Sequence, residues 1–169
     1  INSAEPAKED VIVILDGDDW LFDENALLEL NNTYQFSNCL MTYGSYVEFP
    51  SENRGIFCKQ IPSNVIENNL YREYQFMASH LKSFKFKLWQ KIKFSDLLDY
   101  EDSPYPMAGD IAYAFPLLEM AGERAKFIEK ILYVYNSYNP LNEHKTDHDL
   151  QLSIEQEIRN KPKYSLEEF

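Results

Sequence analysis

An α/β fold is predicted for this chain by three stretches read in order. The run VIVIL at residues 11–15 is continuously apolar and β-branched and is bounded by charge on both sides, as suits a buried parallel strand. It stops at Asp16, Gly17, Asp18 and Asp19, and residues 23–34 then carry Ala26, Leu27, Leu30 and Tyr34 at helical spacing. Farther on, DIAYAFPLLEMAGE at 110–123 reads as a helix followed by the strand-forming KFIEKILYVYN at 126–136. Strand, loop and helix units of this kind build layered domains with the sheet inside and the helices outside.

Each element has its own local reason. Asp23 is placed to cap the first helix, with acids in the first turn to suit the helix dipole. NCLMTYGSYVEF at 38–49 is rich in strand formers and predicts one strand or a hairpin bent at Gly44. Pro, Asn, Ser and Gly punctuate residues 50–69, which read as a long loop. Residues 81–92 are basic and aromatic, with a short helix expected over KLWQKI, and 99–110 is a second loop. In the later helix Asp110 stands at the N-terminus, Gly122 where a terminating glycine belongs, and Pro116 where it costs a hydrogen bond and bends the axis. Residues 126–136 read as a short strand, a turn and a longer strand, and residues 147–159 as a polar surface helix.

Composition bounds the function classes. A chain of 169 residues with 44% hydrophobic and 15% aromatic residues buries one ordinary core, so a single domain over 1–169 is expected. A net charge of −12 argues against a nucleic-acid partner, because phosphate would be repelled. The densest basic stretch, HLKSFKFKLWQKIK at 80–93, is short. Cys39 and Cys58 lack the spacing of a zinc site or a disulfide framework, which suits a reducing, cytoplasmic compartment or a domain of a longer chain. No apolar run approaches the ~20 residues a transmembrane helix needs. A buried parallel strand needs neighbours on both sides, and INSAEPAKED supplies none before Val11, so a partial domain is expected.

The carboxylates carry the chemistry. Ligands of open α/β sheets bind outside the carboxyl ends of the strands, where Asp16, Asp18 and Asp19 crowd together. A metal ion or a proton transfer is the usual reason for such crowding. The plainer role for one or two of them is to cap the following helix.

Taken together, VIVILDGDDWL followed by a helix, GDIAYAFPLLEMAG, and then ILYVYN resemble, in order and spacing, the second half of family 2 glycosyltransferases with the GT-A fold. The likeness spans roughly residues 8–146 and includes SHLKSFKFKLWQKI, which is similar to the acceptor-side segment. It implies a GT-A-like mixed sheet flanked by helices, without the N-terminal βαβ portion that grips the nucleotide base. It further implies transfer, with inversion, from a nucleotide-diphosphate sugar, a UDP-sugar being expected, to the hydroxyl of a glycan, a lipid-linked glycan or a protein. Asp16 and Asp18 match the two acids of the DxD motif: Asp18 would ligate Mn2+ or Mg2+, Asp16 would reach the ribose or the metal shell, and Asp19 would support them. His144, after ILYVYN, matches a third ligand. Asp110 matches the catalytic base, although Gly109 stands where glutamate is commoner. His80 and Trp89 are acceptor-site candidates, with core packing the plain alternative for Trp89.

Two other readings stay open. ILDGDDWLFD is superficially similar to the nucleophile motif of haloacid dehalogenase phosphatases, but Asp19 and Trp20 stand where glycine and threonine should be. A non-catalytic interaction module with the same fold is the second. An EF-hand loop fails, since Trp20 and Leu21 occupy positions that need an oxygen ligand and a glycine.

Overall fold

In the computed structural model, which describes residues 1–139 and 148–168, five strands form one curled mixed sheet. They are β1 (Val11–Ile14), β2 (Trp20–Leu21), β3 (Met41–Phe49), β4 (Lys82–Lys85) and β5 (Ala125–Asn136), in the order β1-β4-β3-β5-β2. β4 is antiparallel to both β1 and β3, and β3 is parallel to β5, so β1, β3 and β5 end at the same end of the sheet. The expectation of a buried parallel strand at 11–15 is therefore corrected. β1 is a half-buried edge strand whose ladder runs antiparallel, from Val11 opposite Lys85 to Ile14 opposite Lys82. An apolar run reports contact on both faces but not the direction of its neighbour.

Alternation along each strand sorts side chains to the two faces. On one face lies α1 (Ala26–Phe36), whose Ala26 and Leu30 pack with Leu81, Ile128, Leu132 and Tyr133. Asp23 sits just before it, accepting the Asn25 N–H at 2.8 Å and, through its carbonyl, that of Ala26 at 3.3 Å. On the other face lies α4 (Gly109–Ala121), buried along almost its whole length against Met41, Tyr43 and Phe84. α4 runs through Pro116 and ends at Gly122, whose φ of 53° lies in the left-handed region that suits glycine.

Residues 38–49 form one strand, and the irregularity near Gly44 is a bulge. Opposite the single step from Gly44 to Ser45, β5 advances from Ile128 to Ile131. A Cβ at Gly44 would stand 3.1 Å from the Ile128 carbonyl oxygen, so the strands close tightly there. β5 is likewise continuous from Ala125 to Asn136, which corrects the expected strand, turn and strand. α2 (Ser63–Glu67) interrupts the expected loop, and α3 (Phe86–Trp89) follows β4 directly. α5 (His148–Asn160) is polar but not merely superficial, because Ile154 and Ile158 enter the core beside α4. Among the described residues no helix is long and apolar enough to cross a membrane.

Candidate functional site

The connection from β1 to β2 has to cross the sheet, because these strands lie at opposite edges. Four strand spacings amount to about 19 Å, and the six residue steps from Ile14 to Trp20 reach only about 20–22 Å when fully extended. Only a fully extended connection would cross a flat sheet, and this one contains a turn, so the sheet is curled and Asp16, Asp18 and Asp19 are held over the carboxyl ends of β3 and β5. The turn is closed by the Asp19 N–H on the Asp16 carbonyl, at 3.2 Å.

β5 fastens this acidic loop from below. The Tyr133 hydroxyl lies 2.5 Å from Asp19 Oδ2 and 3.3 Å from Asp16 Oδ2, and the Asn136 N–H donates to Asp19 Oδ1 at 2.7 Å. Asn139 Nδ2 donates to Asp18 Oδ2 at 2.5 Å. Asp19 thus commits both carboxylate oxygens to the fold. Burial pushes its pKa up, against the lowering effect of the Asn136 and Tyr133 hydrogen bonds. Asp16 and Asp18 stay exposed, as groups that meet a ligand should.

Three further side chains gather beside them. His80 stacks on the Tyr133 ring with centroids 4.4 Å apart, and its Nδ1 lies 3.8 Å from Asp16 Oδ2 without a hydrogen bond. Burial, followed by the nearby Lys82 charge, lowers its pKa to about 3, so it is neutral and this contact is not an ion pair. On β4, Lys82 and Phe84 face α4 while Ser83 faces α1, where the Tyr34 hydroxyl meets its Oγ at 3.0 Å. That alternation delivers Lys82 Nζ to Asp110 Oδ2 at 2.9 Å. Burial opposes a charge on Lys82, but Asp110 outweighs it and the pKa is held above the usual lysine value. Burial would likewise raise Asp110, but the Lys82 charge and hydrogen bond outweigh it and keep the carboxylate ionised. Lys82 was missed in the sequence, where it sits in the basic and aromatic stretch likened to an acceptor-side segment. The short-range pattern there, polar, polar, apolar, polar over K-S-F-K, carries no period of two that would have marked it as a strand.

Lys82, Asp110 and His80 line one cleft of about 630 Å³ together with Tyr46, Tyr135 and Arg159. Trp89 is not brought to it. Its indole N–H donates to Asn2 Oδ1 at 3.0 Å, its ring stacks on Phe84, and it borders a separate groove with Pro6 and Phe94. His144 lies outside the described residues. Among those described, no three His, Cys, Asp or Glu side chains are grouped to hold a metal. The exposed acids of the neighbouring loop, Asp16 and Asp18, offer hard carboxylate oxygens. That set fits Mg2+ or Mn2+ in the mode where one or two carboxylates bind the ion and substrate phosphates complete its shell. No protein-family model and no curated protein matches the chain.

Proposed function

We propose that the chain is the DxD-bearing portion of a GT-A-type, metal-dependent, inverting glycosyltransferase that uses a UDP-linked sugar. One observation carries the reading: Asp110 lines a cleft with His80 and Lys82, and the acidic loop that carries Asp16 and Asp18 comes up beside it, Asp16 Oδ2 lying 3.8 Å from His80 Nδ1. A purely structural loop needs no acids beyond Asp19, whose two oxygens already tie it to Tyr133 and Asn136, yet Asp16 and Asp18 stand exposed next to it. A divalent cation on Asp16 and Asp18 would offset the charge that develops on the leaving diphosphate.

Asp110 is ionised and 44% exposed, so it can take the proton of an acceptor hydroxyl. As that oxygen bonds to the anomeric carbon, the bond from that carbon to the diphosphate breaks and its electron pair leaves with the diphosphate. His80, neutral, serves as a hydrogen-bonding group without competing for the proton. Tyr135 presents ring surface to a sugar, with Gln75 and Gln151 offering amides across the cleft.

The test is calorimetric titration of Mn2+ and then UDP into the full-length protein, with transfer from UDP-sugars assayed alongside. Asp18→Ala is expected to abolish Mn2+-dependent nucleotide binding, and His144→Ala to weaken it if that residue completes the shell. Asp110→Asn is expected to bind nucleotide and fail to transfer. A folded protein that binds neither metal nor UDP would leave the non-catalytic module as the better account.

A further inference from the structure

The ion pair between β4 and α4 has an unequal geometry. The Lys82 side chain is 2% exposed and the Asp110 side chain 44% exposed, although their charged atoms are only 2.9 Å apart. A ligand in the cleft can therefore touch the carboxylate but scarcely the ammonium. Burying an ammonium is costly, and apolar side chains of similar volume commonly replace buried ion pairs without loss of stability. The sheet face around Lys82 is apolar, with Phe84 two residues along the strand and Ile111 next to Asp110 on the helix. A leucine or methionine would thus serve packing at least as well.

We propose that Lys82 is a positioning residue for Asp110, fixing the direction and charge of that carboxylate at the cleft without touching substrate. This rests on the glycosyltransferase reading. The groups around the pair leave no substitute for its charge. His80 is neutral, Tyr113 is a phenol, and Asp16 is itself an acid. The helix N-terminus favours an anion at Asp110 but does not hold it in one orientation, whereas a donor on a hydrogen-bonded strand does. Arg159, though it lines the same cleft, is committed to Glu155 at 2.7 Å and to the Arg72 and Tyr74 carbonyls.

The experiment compares full-length wild type, Lys82→Met, Asp110→Asn and the double variant. Lys82→Met is expected to lower kcat by about 10²-fold, the lower bound for a positioned base, while the KM for donor and the Mn2+-dependent UDP affinity stay within about threefold. The double variant is expected to be no slower than Asp110→Asn alone, because Lys82 acts through that carboxylate. Should Lys82→Met lose the wild-type circular dichroism, Lys82→Leu, which likewise removes both donor and charge, takes its place with the same expectation. A normal kcat in either folded variant, or a double variant showing the product of the two single losses, would overturn the assignment of Lys82 alone. A wild type that neither binds UDP with Mn2+ nor transfers would overturn the glycosyltransferase reading and this assignment with it.

Discussion

Replacing Arg72 by leucine should be among the most damaging single changes outside the cleft. Arg72 grips Glu119 of α4 through two bonds, Nε to Oε1 at 2.5 Å and Nη2 to Oε2 at 3.0 Å, and its Nη1 donates to the Ile158 carbonyl of α5 at 2.6 Å. The two side chains are 4% and 0% exposed, so solvent screens little of the interaction. Without the guanidinium, the buried carboxylate keeps the Tyr164 N–H at 2.9 Å, and the Ile158 carbonyl near the end of its helix keeps the Lys161 N–H at 3.2 Å but loses its shorter bond to Arg72. Removing one partner of a buried pair costs about 3–5 kcal/mol. At about 2–4 °C per kcal/mol for a chain of this size, the melting temperature should fall by roughly 6–20 °C. Urea unfolding followed by circular dichroism would measure the loss as a shift in midpoint at constant slope. Arg72→Leu combined with Glu119→Leu should recover most of it, since the penalty comes from the orphaned charge. A loss under about 1 kcal/mol in the single variant, or a double variant as unstable as the sum of both singles, would refute this account.

Gly55→Ala should disturb both stability and the cleft, because a Cβ there would overlap the ring of Tyr46, which is 7% exposed and packs edge-on to His80 and Tyr135. A cost of about 1–3 kcal/mol is expected from overpacking, and an unchanged urea midpoint would contradict the contact. His80 predicts a pH dependence of defined sign. Its folded pKa, about 3, lies below the unfolded 6.5, so its contribution is fully present above pH 6.5 and is lost progressively as pH falls toward 3. His80→Gln should therefore flatten the fall in stability between about pH 4.5 and 6.5; parallel stability curves for variant and wild type over that range would sink the idea.

Several elements were legible because their signals are local. The α4 helix was bounded in the sequence by Asp110 and Gly122, and it runs from Gly109 to Ala121 with Gly122 at positive φ. The acidic loop after VIVI was equally plain. Misreadings arose where pairing decides. The strand at 82–85 hid in a basic run, because lysines at both ends flank Ser83 and Phe84 and only β1 and β3 on either side make that segment a strand. The bulge opposite Gly44 looked like a turn because its extra residues break the period of two. The polar helix α5 was read as surface because its moorings, Arg72, Glu119 and Phe115, lie far away in the chain.

By itself the sequence determined an α/β chain, the helix ends and the crowding of carboxylates after the first strand, since each follows from side-chain type and short-range spacing. The tertiary structure decided which acids stay exposed and which commit both carboxylate oxygens to the fold. Asp16, Asp18 and Asp19 are near neighbours in sequence, yet Tyr133 and Asn136 claim both oxygens of Asp19 and leave the other two exposed. Lys82 and Asp110 are 28 residues apart, and only the order of the strands and the alternation along β4 place an ammonium under that carboxylate. Charge and hydrogen bonding act over a few ångströms of space, and sequence distance does not measure that space.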